Sequence, residues 1–272
     1  MLRQARLLVL LLMGTIITAA LLSAAAAPPK RPNQACAAWQ DDFSLTQIDA
    51  SRWVIANGRA PGYIPNYHVG YYQPGHVSVG GGSLAMLLTQ ENGLVDKGYG
   101  VISRGAMIYT KQKCGYGTYQ WTMRMSSTAN GPTAEGYPTS GSVSAGFVYG
   151  NNSETEIDFE FSGQDPDTLW LVNWLNTNPR TDPTEANETY TAVQPFVSTS
   201  SFHTYKFVWQ PGKITYYVDD QPQAEHTTNV PSAAAYFMIN HWGTDSRSWG
   251  GYATVGTARY FYIDRVSYTP LR

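Results

Sequence analysis

The sequence predicts an all-β fold, and three of its features support that prediction. Helical periodicity is nearly absent along the chain. Short runs in which apolar and polar residues alternate occur instead, and Gly, Pro or Asn bounds them. Tyr and Trp, which favour strands, are abundant, with 19 Tyr and 8 Trp in 272 residues. Regular short strands separated by turn residues indicate a β-sandwich or a β-barrel.

The predicted strands follow one another without an internal repeat or a linker. The clearest lie at residues 76–79, 83–88, 117–125, 204–209, 213–218 and 259–263. The segment from Val218 to Pro222 is typical of a hairpin turn, although Asp220 occupies a place where Gly would be easier. A chain of this length can bury one large core. We therefore predict one domain, from residue 36 to residue 272.

Residues 1–27 have the order of a secretory signal: a positive start, an apolar run and a segment of small residues. Arg3 and Arg6 precede the apolar run at 7–22, and Ala residues follow at 24–27. The alternative is an uncleaved membrane anchor, because the run approaches the ~18 residues that can span a bilayer. Residues 28–35 are interpreted as a flexible leader. We expect a secreted protein, extracellular or periplasmic, with no membrane association after cleavage.

The composition argues against several classes of partner. Charged residues make up only 14% of the chain and the formal net charge is −2, so no electrostatic attraction to nucleic acid is expected. Two Cys are too few for a zinc site, and the five His show no ligand spacing. In an oxidising compartment Cys36 and Cys114 could form one disulfide, although the sequence does not show that they meet. No pattern bears on assembly, and we expect a monomer.

Three carboxylates alternate along one predicted strand. Side chains two residues apart on a strand point the same way, so Glu156, Asp158 and Glu160 share one face. The apolar residues that alternate with them share the other face, which must pack into the core. A half-exposed strand with an acidic outer face is the alternative, but it is disfavoured because like charges repel and no local Lys or Arg neutralises them.

The spacing of these carboxylates points to a reaction. The Cα atoms of Glu156 and Glu160 should lie about 13 Å apart at ~3.3 Å per residue. Two Glu side chains that lean together can reduce this to the ~5–5.5 Å carboxyl separation of retaining glycosidases. Asp158 lies between them and can share a proton with one of them. Negative neighbours are expected to raise the pKa of Glu160, which would keep it protonated as an acid.

The run from Glu156 to Phe161, Glu-Ile-Asp-Phe-Glu-Phe, resembles the catalytic strand of glycoside hydrolase family 16. It has the short form of that strand, without a bulge residue, which is typical of lichenases and of xyloglucan and chitin–glucan transglycosylases. Segments 51–54, 113–119 and 202–219 resemble lichenase segments in the same order, whereas 249–251 resembles the fungal transglycosylases more. The resemblance implies a curved antiparallel β-sandwich, a concanavalin A-like jelly roll, with a sugar-binding cleft across its concave sheet.

The resemblance also implies roles for individual residues. Glu156 corresponds to the nucleophile, Asp158 to the assisting carboxylate and Glu160 to the general acid/base. The residues that it implies as substrate-binding are Asn66, Phe147, Tyr149, Asn173, Trp174, Trp242 and Trp249. Core packing is the alternative for each of these aromatic residues. No cofactor is implied for catalysis, but Asp264 resembles a residue that helps to hold a structural calcium ion, with an ordinary strand-end position as the alternative.

Some positions depart from the lichenase pattern. Lichenases usually have Trp-Asp before the nucleophile, where this chain has Glu154 and Thr155. Met107 and Tyr109 stand where the lichenase cleft has a Glu and an Arg, and the cysteines match neither position of the lichenase disulfide. The three carboxylates are intact, so the chemistry is expected to persist while the choice of glucan stays open.

We therefore expect a secreted, retaining endo-β-glycanase that hydrolyses a β-1,3/1,4-glucan-type polysaccharide. The first alternative is a transglycosylase that remodels a xyloglucan- or chitin/glucan-type β-glycan with the same residues. The second is a lectin that binds carbohydrate without cleaving it, which is disfavoured because both catalytic Glu residues are present.

Overall fold

The computed structural model describes residues 36–150, 155–175 and 187–271. The predicted signal at 1–27 and leader at 28–35 lie outside this part of the chain. Strands dominate the described residues, and a short 3₁₀ turn lies at Pro74–His76. None of the helical segments in the described ranges has the length and apolar character of a membrane span.

The first nine strands, in chain order, are β1 (Trp39–Asp41), β2 (Trp53–Ile55), β3 (Gly58–Arg59), β4 (His68–Tyr72), β5 (Val77–Gly80), β6 (Ser83–Val95), β7 (Gly98–Cys114), β8 (Gly117–Ser127) and β9 (Ser142–Tyr149). The others are β10 (Glu156–Ser162), β11 (Leu169–Trp174), β12 (Glu188–Val193), β13 (His203–Gln210), β14 (Lys213–Val218), β15 (Gln221–His226), β16 (Ala235–Gly243) and β17 (Arg259–Pro270). All six predicted strands fall on these elements, so the all-β prediction is confirmed.

The strands form two main sheets. The front sheet has the antiparallel order β2-β7-β16-β9-β10-β11-β12. The back sheet has the antiparallel order β5-β6-β17-β8-β13-β14-β15, with β1 beside the last residues of β17. A smaller third sheet joins β3, β4, β7 and β6, and in it β4 runs parallel to β7.

Aromatic residues from both main sheets fill the space between them. Phe159 and Phe237 of the front sheet meet Trp121 and Phe207 of the back sheet, and all four are fully buried. The rings of Trp121 and Phe237 stack with centroids 4.2 Å apart. Burial of such large apolar side chains is the main favourable contribution to folding. The structure is therefore a sandwich of two sheets around one core, as the sequence predicts.

Two long strands connect the sheets. β6 pairs with β17 through residues 84–88 and with β7 through residues 89–95. β7 in turn belongs to the third sheet through residues 98–105 and to the front sheet through its later residues. At the crossing point any side chain on Gly105 would collide with the backbone carbonyl of His241, which explains the Gly there.

A disulfide and a tight turn complete the frame. The structure links Cys36 to Cys114, with Cα atoms 5.5 Å apart, and so ties the beginning of the described chain to the end of β7. Asp219 and Asp220 connect β14 and β15 with φ values of +49° and +63°. Positive φ at both central residues is the geometry of a type I′ hairpin, so the predicted turn is confirmed with Asp in place of Gly.

Candidate active site

The three carboxylates lie on the fifth strand of the front sheet, β10. The apolar residues of this strand, Ile157, Phe159 and Phe161, are fully buried against the back sheet. The carboxylates alternate with them and therefore face the opposite, outer side of the front sheet. Asp158 is 3% exposed, whereas Glu156 and Glu160 keep an intermediate exposure. A substrate can thus reach the outer two carboxylates while the middle one stays buried.

The neighbouring strands surround each carboxylate with a row of side chains that share its face. Residues directly opposite each other in an antiparallel pair point to the same side of the sheet. Opposite Glu156 lie Tyr149 and Trp174, opposite Asp158 lie Phe147 and Val172, and opposite Glu160 lie Ala145 and Trp170. The carboxylate row is therefore flanked by aromatic residues on both sides.

A cavity of about 500 Å³ opens on the β9 side of the carboxylates. Its lining residues are Arg59, Ala60, Pro61, Tyr72, Met107, Phe147, Tyr149, Glu156, Met238 and Asn240. The Tyr72 hydroxyl is hydrogen-bonded to the Asn240 side chain, which fixes one wall of the cavity. Glu156 contributes to the lining and Glu160 does not, so the cavity belongs to the Glu156 end of the row.

An aromatic surface lies on the other side of the carboxylates. Trp170 is opposite Glu160, and its ring centroid is 5.7 Å from that of Tyr190 on β12. Trp249, from the loop between β16 and β17, meets Trp170 edge to face at a centroid distance of 5.8 Å. We call Trp170, Tyr190 and Trp249 the aromatic surface. Flat rings with apolar faces are suited to packing against sugar rings.

Burial is the main influence on the acidity of the three carboxyls. It raises the pKa of Glu156 to about 8, with a further contribution from the charge of Glu160. It raises the pKa of Glu160 to about 7, with a smaller contribution from Glu188 on β12. The pKa of Asp158 is raised well above its ordinary value. Burial is the largest cause, and the charges of its neighbours contribute less. At neutral pH this group therefore carries fewer than three negative charges.

The direction of the shift for Glu160 agrees with the sequence-based prediction, but its cause does not. The sequence predicts that neighbouring charges raise the pKa, whereas burial contributes most to the shift. The carboxylate that acts on Glu160 is Glu188, which comes from another strand and carries no signal in the sequence of β10.

The raised pKa values give a testable dependence of stability on pH. The folded protein holds protons that the unfolded chain has released above the ordinary Glu pKa of 4.5. The stability linked to these protons is fully present below that value and is lost as the pH rises through the raised values. Glu156→Gln removes one such group, so we expect its Tm to exceed that of the wild type by roughly 3–6 °C at pH 8 and by about zero at pH 4.

Thermal unfolding at the two pH values measures this effect. Glu135→Gln, which removes an exposed carboxylate, is the matched control and should show the same Tm difference from the wild type at pH 4 and pH 8. A Glu156→Gln variant whose Tm difference does not change with pH would contradict the assignment of a raised pKa to this group.

The structure brings most of the predicted substrate-binding residues to this face. Phe147 and Tyr149 line the cavity, and Trp174 lies opposite Glu156. Trp242 packs with Ala60 and Tyr72 near the cavity wall, and Trp249 packs against the same cluster. These placements are compatible with substrate contact, which stays a prediction for each residue.

The structure corrects the prediction that Asn173 is a substrate-binding residue. It follows the alternation of β11 and faces the core side, opposite Ile157, because Trp174 next to it takes the outer side. Its amide donates to the carbonyls of Thr228 and Asn229, and its oxygen lies 2.7 Å from His226 Nδ1. Asn173 therefore anchors a loop and does not reach the cleft.

Asn66 and Asp264 lie apart from the carboxylates. Asn66 is exposed, its side chain accepts a hydrogen bond from the Lys97 backbone N–H at 3.2 Å, and the cavity lining does not include it. Asp264 is exposed where the pairing of β17 with β8 changes register. Within the described ranges, no group of three or more His, Cys, Asp or Glu side chains is arranged to hold a metal ion, at Asp264 or elsewhere. The calcium ion therefore enters no step below and stays a prediction.

Sequence reasoning missed several residues of the site. Trp170 could have been found, since it shares a strand face with Trp174, four residues away on β11. Asn240 could also have been found, because it lies two residues before Trp242 on β16. Arg59 and Tyr72 reach the cavity from the third sheet, and no local pattern announces that placement.

Comparisons with known proteins agree with this geometry. The model of Glycosyl hydrolases family 16 matches residues 66–259. A beta-glucanase from Paenibacillus polymyxa is 34% identical over 160 residues, which cover 57% of this chain and 60% of that protein. A beta-glucanase from Acetivibrio thermocellus is 29% identical over 237 residues, which cover 83% of this chain and 61% of that protein. The chain thus spans about 60% of the length of the curated relatives it matches.

Solved structures show the same architecture. The Bacillus licheniformis beta-glucanase superimposes with a TM-score of 0.69 at 25% identity, covering 88% of this chain and all of that one. The laminarinase catalytic domain from Thermotoga maritima superimposes with a TM-score of 0.66 at 17% identity, covering 86% of this chain and 98% of that one. The second likeness concerns the fold alone. Together with the sheet order above, these neighbours confirm the predicted curved jelly roll.

Proposed function

The chain belongs to glycoside hydrolase family 16, and from that membership we propose that it is a secreted endo-β-glycanase that hydrolyses β-1,3/1,4-linked glucan with retention of configuration. The observation that carries the proposal is the outer face of β10, on which Glu156 and Glu160 remain accessible on either side of the buried Asp158. The beta-glucanase relatives support a β-linked glucan as the substrate.

In the first step Glu160 acts as the general acid. Its proton passes to the glycosidic oxygen while Glu156 attacks the anomeric carbon, and the bond between that carbon and the oxygen breaks. The leaving sugar gains a hydroxyl, and the other sugar becomes an ester of Glu156. This step requires a proton on Glu160 and an ionised Glu156. Burial raises the pKa of both groups, so it supports the first requirement and opposes the second.

In the second step Glu160 acts as the general base. It takes a proton from water, the water oxygen attacks the anomeric carbon, and Glu156 leaves as a carboxylate. The ester has no charge at position 156, so the electrostatic interaction between the two carboxyl groups is removed. A fall in the pKa of Glu160 at this stage, which would suit its change from acid to base, is expected. Asp158, buried between them, assists by sharing a proton with one of the two.

The two sides of β10 take different parts of the substrate. The nucleophile touches the anomeric carbon, so the sugar that becomes esterified lies in the cavity beside Glu156. The acid/base touches the leaving oxygen, so the departing sugar lies beside Glu160, where Trp170 and Trp249 provide ring faces. An open surface on this side suits cleavage within a long chain.

Transglycosylation is the second candidate, and the aromatic surface is the observation that favours it. A sugar that packs on Trp170 or Trp249 could attack the ester in place of water and yield a lengthened glycan. The lectin alternative is disfavoured, because both Glu156 and Glu160 are present on the accessible face of β10.

A panel of polysaccharides tests the proposal. We expect lichenan to be cleaved faster than laminarin, xyloglucan, chitin or agarose, with internal cuts that release oligosaccharides early. Proton NMR of the fresh products should show the β anomer first, because two inversions at one carbon retain configuration. Products longer than the donor would indicate transfer, an α anomer first would contradict retention, and binding without cleavage across the panel would favour the lectin.

A further inference from the structure

The loop that carries Trp249 is fixed by hydrogen bonds to buried polar groups. It spans residues 244–258, between β16 and β17. Gly250 and Gly251 lie next to Trp249 with φ values of +78° and +85°, and both are buried. A side chain on Gly250 would collide with Thr244, so the loop folds tightly over its own first residue. Trp249 is therefore presented by a compact loop with a defined backbone.

Gln90, on β6, binds both ends of this loop. It is only 2% exposed. Its amide nitrogen donates to the carbonyl of Thr244 at 2.9 Å, and its amide oxygen accepts from the backbone N–H of Thr254 at 3.0 Å. Its backbone carbonyl accepts from the N–H of Gly256 at 2.9 Å. One residue thus joins the first and last parts of a loop that lies more than 150 positions later in the chain.

Arg259 extends the contact to the far end of the loop. It is fully buried and donates to the carbonyls of Thr254 and Thr257 at 2.6 and 2.9 Å. Its second guanidinium nitrogen donates to the side-chain oxygen of Gln90 at 2.5 Å. The Nε of Arg259 has no hydrogen-bond partner among the described residues, but the other buried hydrogen bonds of Gln90 and Arg259 are costly to break and therefore favour one loop conformation.

We propose that Gln90 is a positioning residue that holds Trp249 beside Trp170, and that it thereby sets how often a sugar rather than water captures the glycosyl–enzyme ester. The inference rests on the proposed function and on its transfer candidate, since it needs the ester on Glu156 and needs Glu160 to activate the incoming sugar. Gln90 lies beneath the loop, and its effect reaches the substrate through Trp249. It is a determinant of acceptor use.

The test measures the partition between transfer and hydrolysis in the full chain. Lichenan is the donor and fluorescently labelled cellobiose is the acceptor, and the ratio of labelled product to released reducing ends is recorded. Gln90→Met preserves the size of the side chain and removes its hydrogen bonds. We expect this ratio to fall at least about threefold, with a raised KM for cellobiose and a smaller change in the rate of hydrolysis.

Two further variants separate positioning from general destabilisation. Trp249→Ala should lower the ratio as Gln90→Met does, and the double variant should equal Trp249→Ala alone, because both changes act through one ring. Tyr119→Phe is the control. It removes a buried hydrogen bond from the hydroxyl of this β8 residue to the carbonyl of Gly115 and should leave the ratio unchanged. If Gln90→Met does not fold, Arg259→Lys weakens the same network from its other end and should lower the ratio.

An unchanged ratio in the Gln90 or Arg259 variant would overturn the inference, as would a double variant in which the two effects multiply. An unchanged ratio in Trp249→Ala, or a wild type that hydrolyses lichenan without forming labelled product, would overturn it as well. A wild type that does not cleave lichenan would overturn the proposed function itself, and the panel of polysaccharides identifies that case separately.

Discussion

Glu156→Gln is expected to lower the rate of polysaccharide cleavage by about 10³-fold or more. The amide has the shape of the carboxylate but cannot attack the anomeric carbon, so no glycosyl–enzyme ester forms. The loss should appear in kcat, with little change in KM, because the side chain acts on the transition state rather than on binding. Initial rates on lichenan, together with the absence of a burst of product, measure it.

Glu188→Gln is the matched control for that experiment. It also removes a carboxylate that acts on Glu160, but Glu188 comes from β12 and lies outside the reacting pair. We expect less than a tenfold loss in this variant. Glu156→Ala provides a second check, since azide can enter the vacated space and attack an activated aryl glycoside directly. Its product should be the α-glycosyl azide. A Glu156→Gln enzyme with more than about 1% of wild-type activity would contradict the assignment of the nucleophile.

Glu160→Ala is expected to lower the rate of cleavage much more for substrates with a poor leaving group than for substrates with a good one. Polysaccharide cleavage needs a proton on the departing oxygen, so we expect a loss of about 10²–10⁴-fold on lichenan. An aryl glycoside whose phenol is already acidic leaves without that proton, so its first step should be far less affected. The alkaline fall of the pH–rate profile on the aryl substrate should also disappear, because it reports the loss of the proton from Glu160.

Azide distinguishes this role from that of the nucleophile. In Glu160→Ala the ester on Glu156 still forms, and azide attacks it from the face that water normally uses, so the product should be the β-glycosyl azide. Equal losses on lichenan and on the aryl glycoside would contradict the acid/base role. An α-glycosyl azide from this variant would indicate the opposite assignment, with Glu160 as the nucleophile and Glu156 as the acid/base.

The features that follow from a period of two along a strand could be predicted from the sequence. The faces of β10, its apolar packing and its three carboxylates all depend on local alternation, and the structure shows each of them. The same rule exposes the error at Asn173. The sequence-based prediction places both Trp174 and Asn173 in the cleft, although neighbours on one strand must face opposite sides.

The parts of the site that depend on distant pairing could not be predicted. Arg59 and Tyr72 enter the cavity because β4 pairs in parallel with β7, and no residue in either strand specifies that partner. The degree of burial of Glu160 is also a property of the assembled sheet, so its acidity could be predicted in direction but not in cause. Gln90 is a further example, because the loop residues that its side chain binds lie beyond residue 240.

The two strands that cross between sheets shape the way in which the molecule folds. β6 belongs to the back and third sheets and β7 to the third and front sheets, so the two main sheets are linked through continuous strands. The back sheet also joins β1 to the last residues of β17, more than 220 positions away. Pairings between such distant residues impose a large loop-closure entropy and make folding slow. We therefore expect slow folding, in which the pairing of β10 with its neighbours depends on contacts between distant parts of the chain.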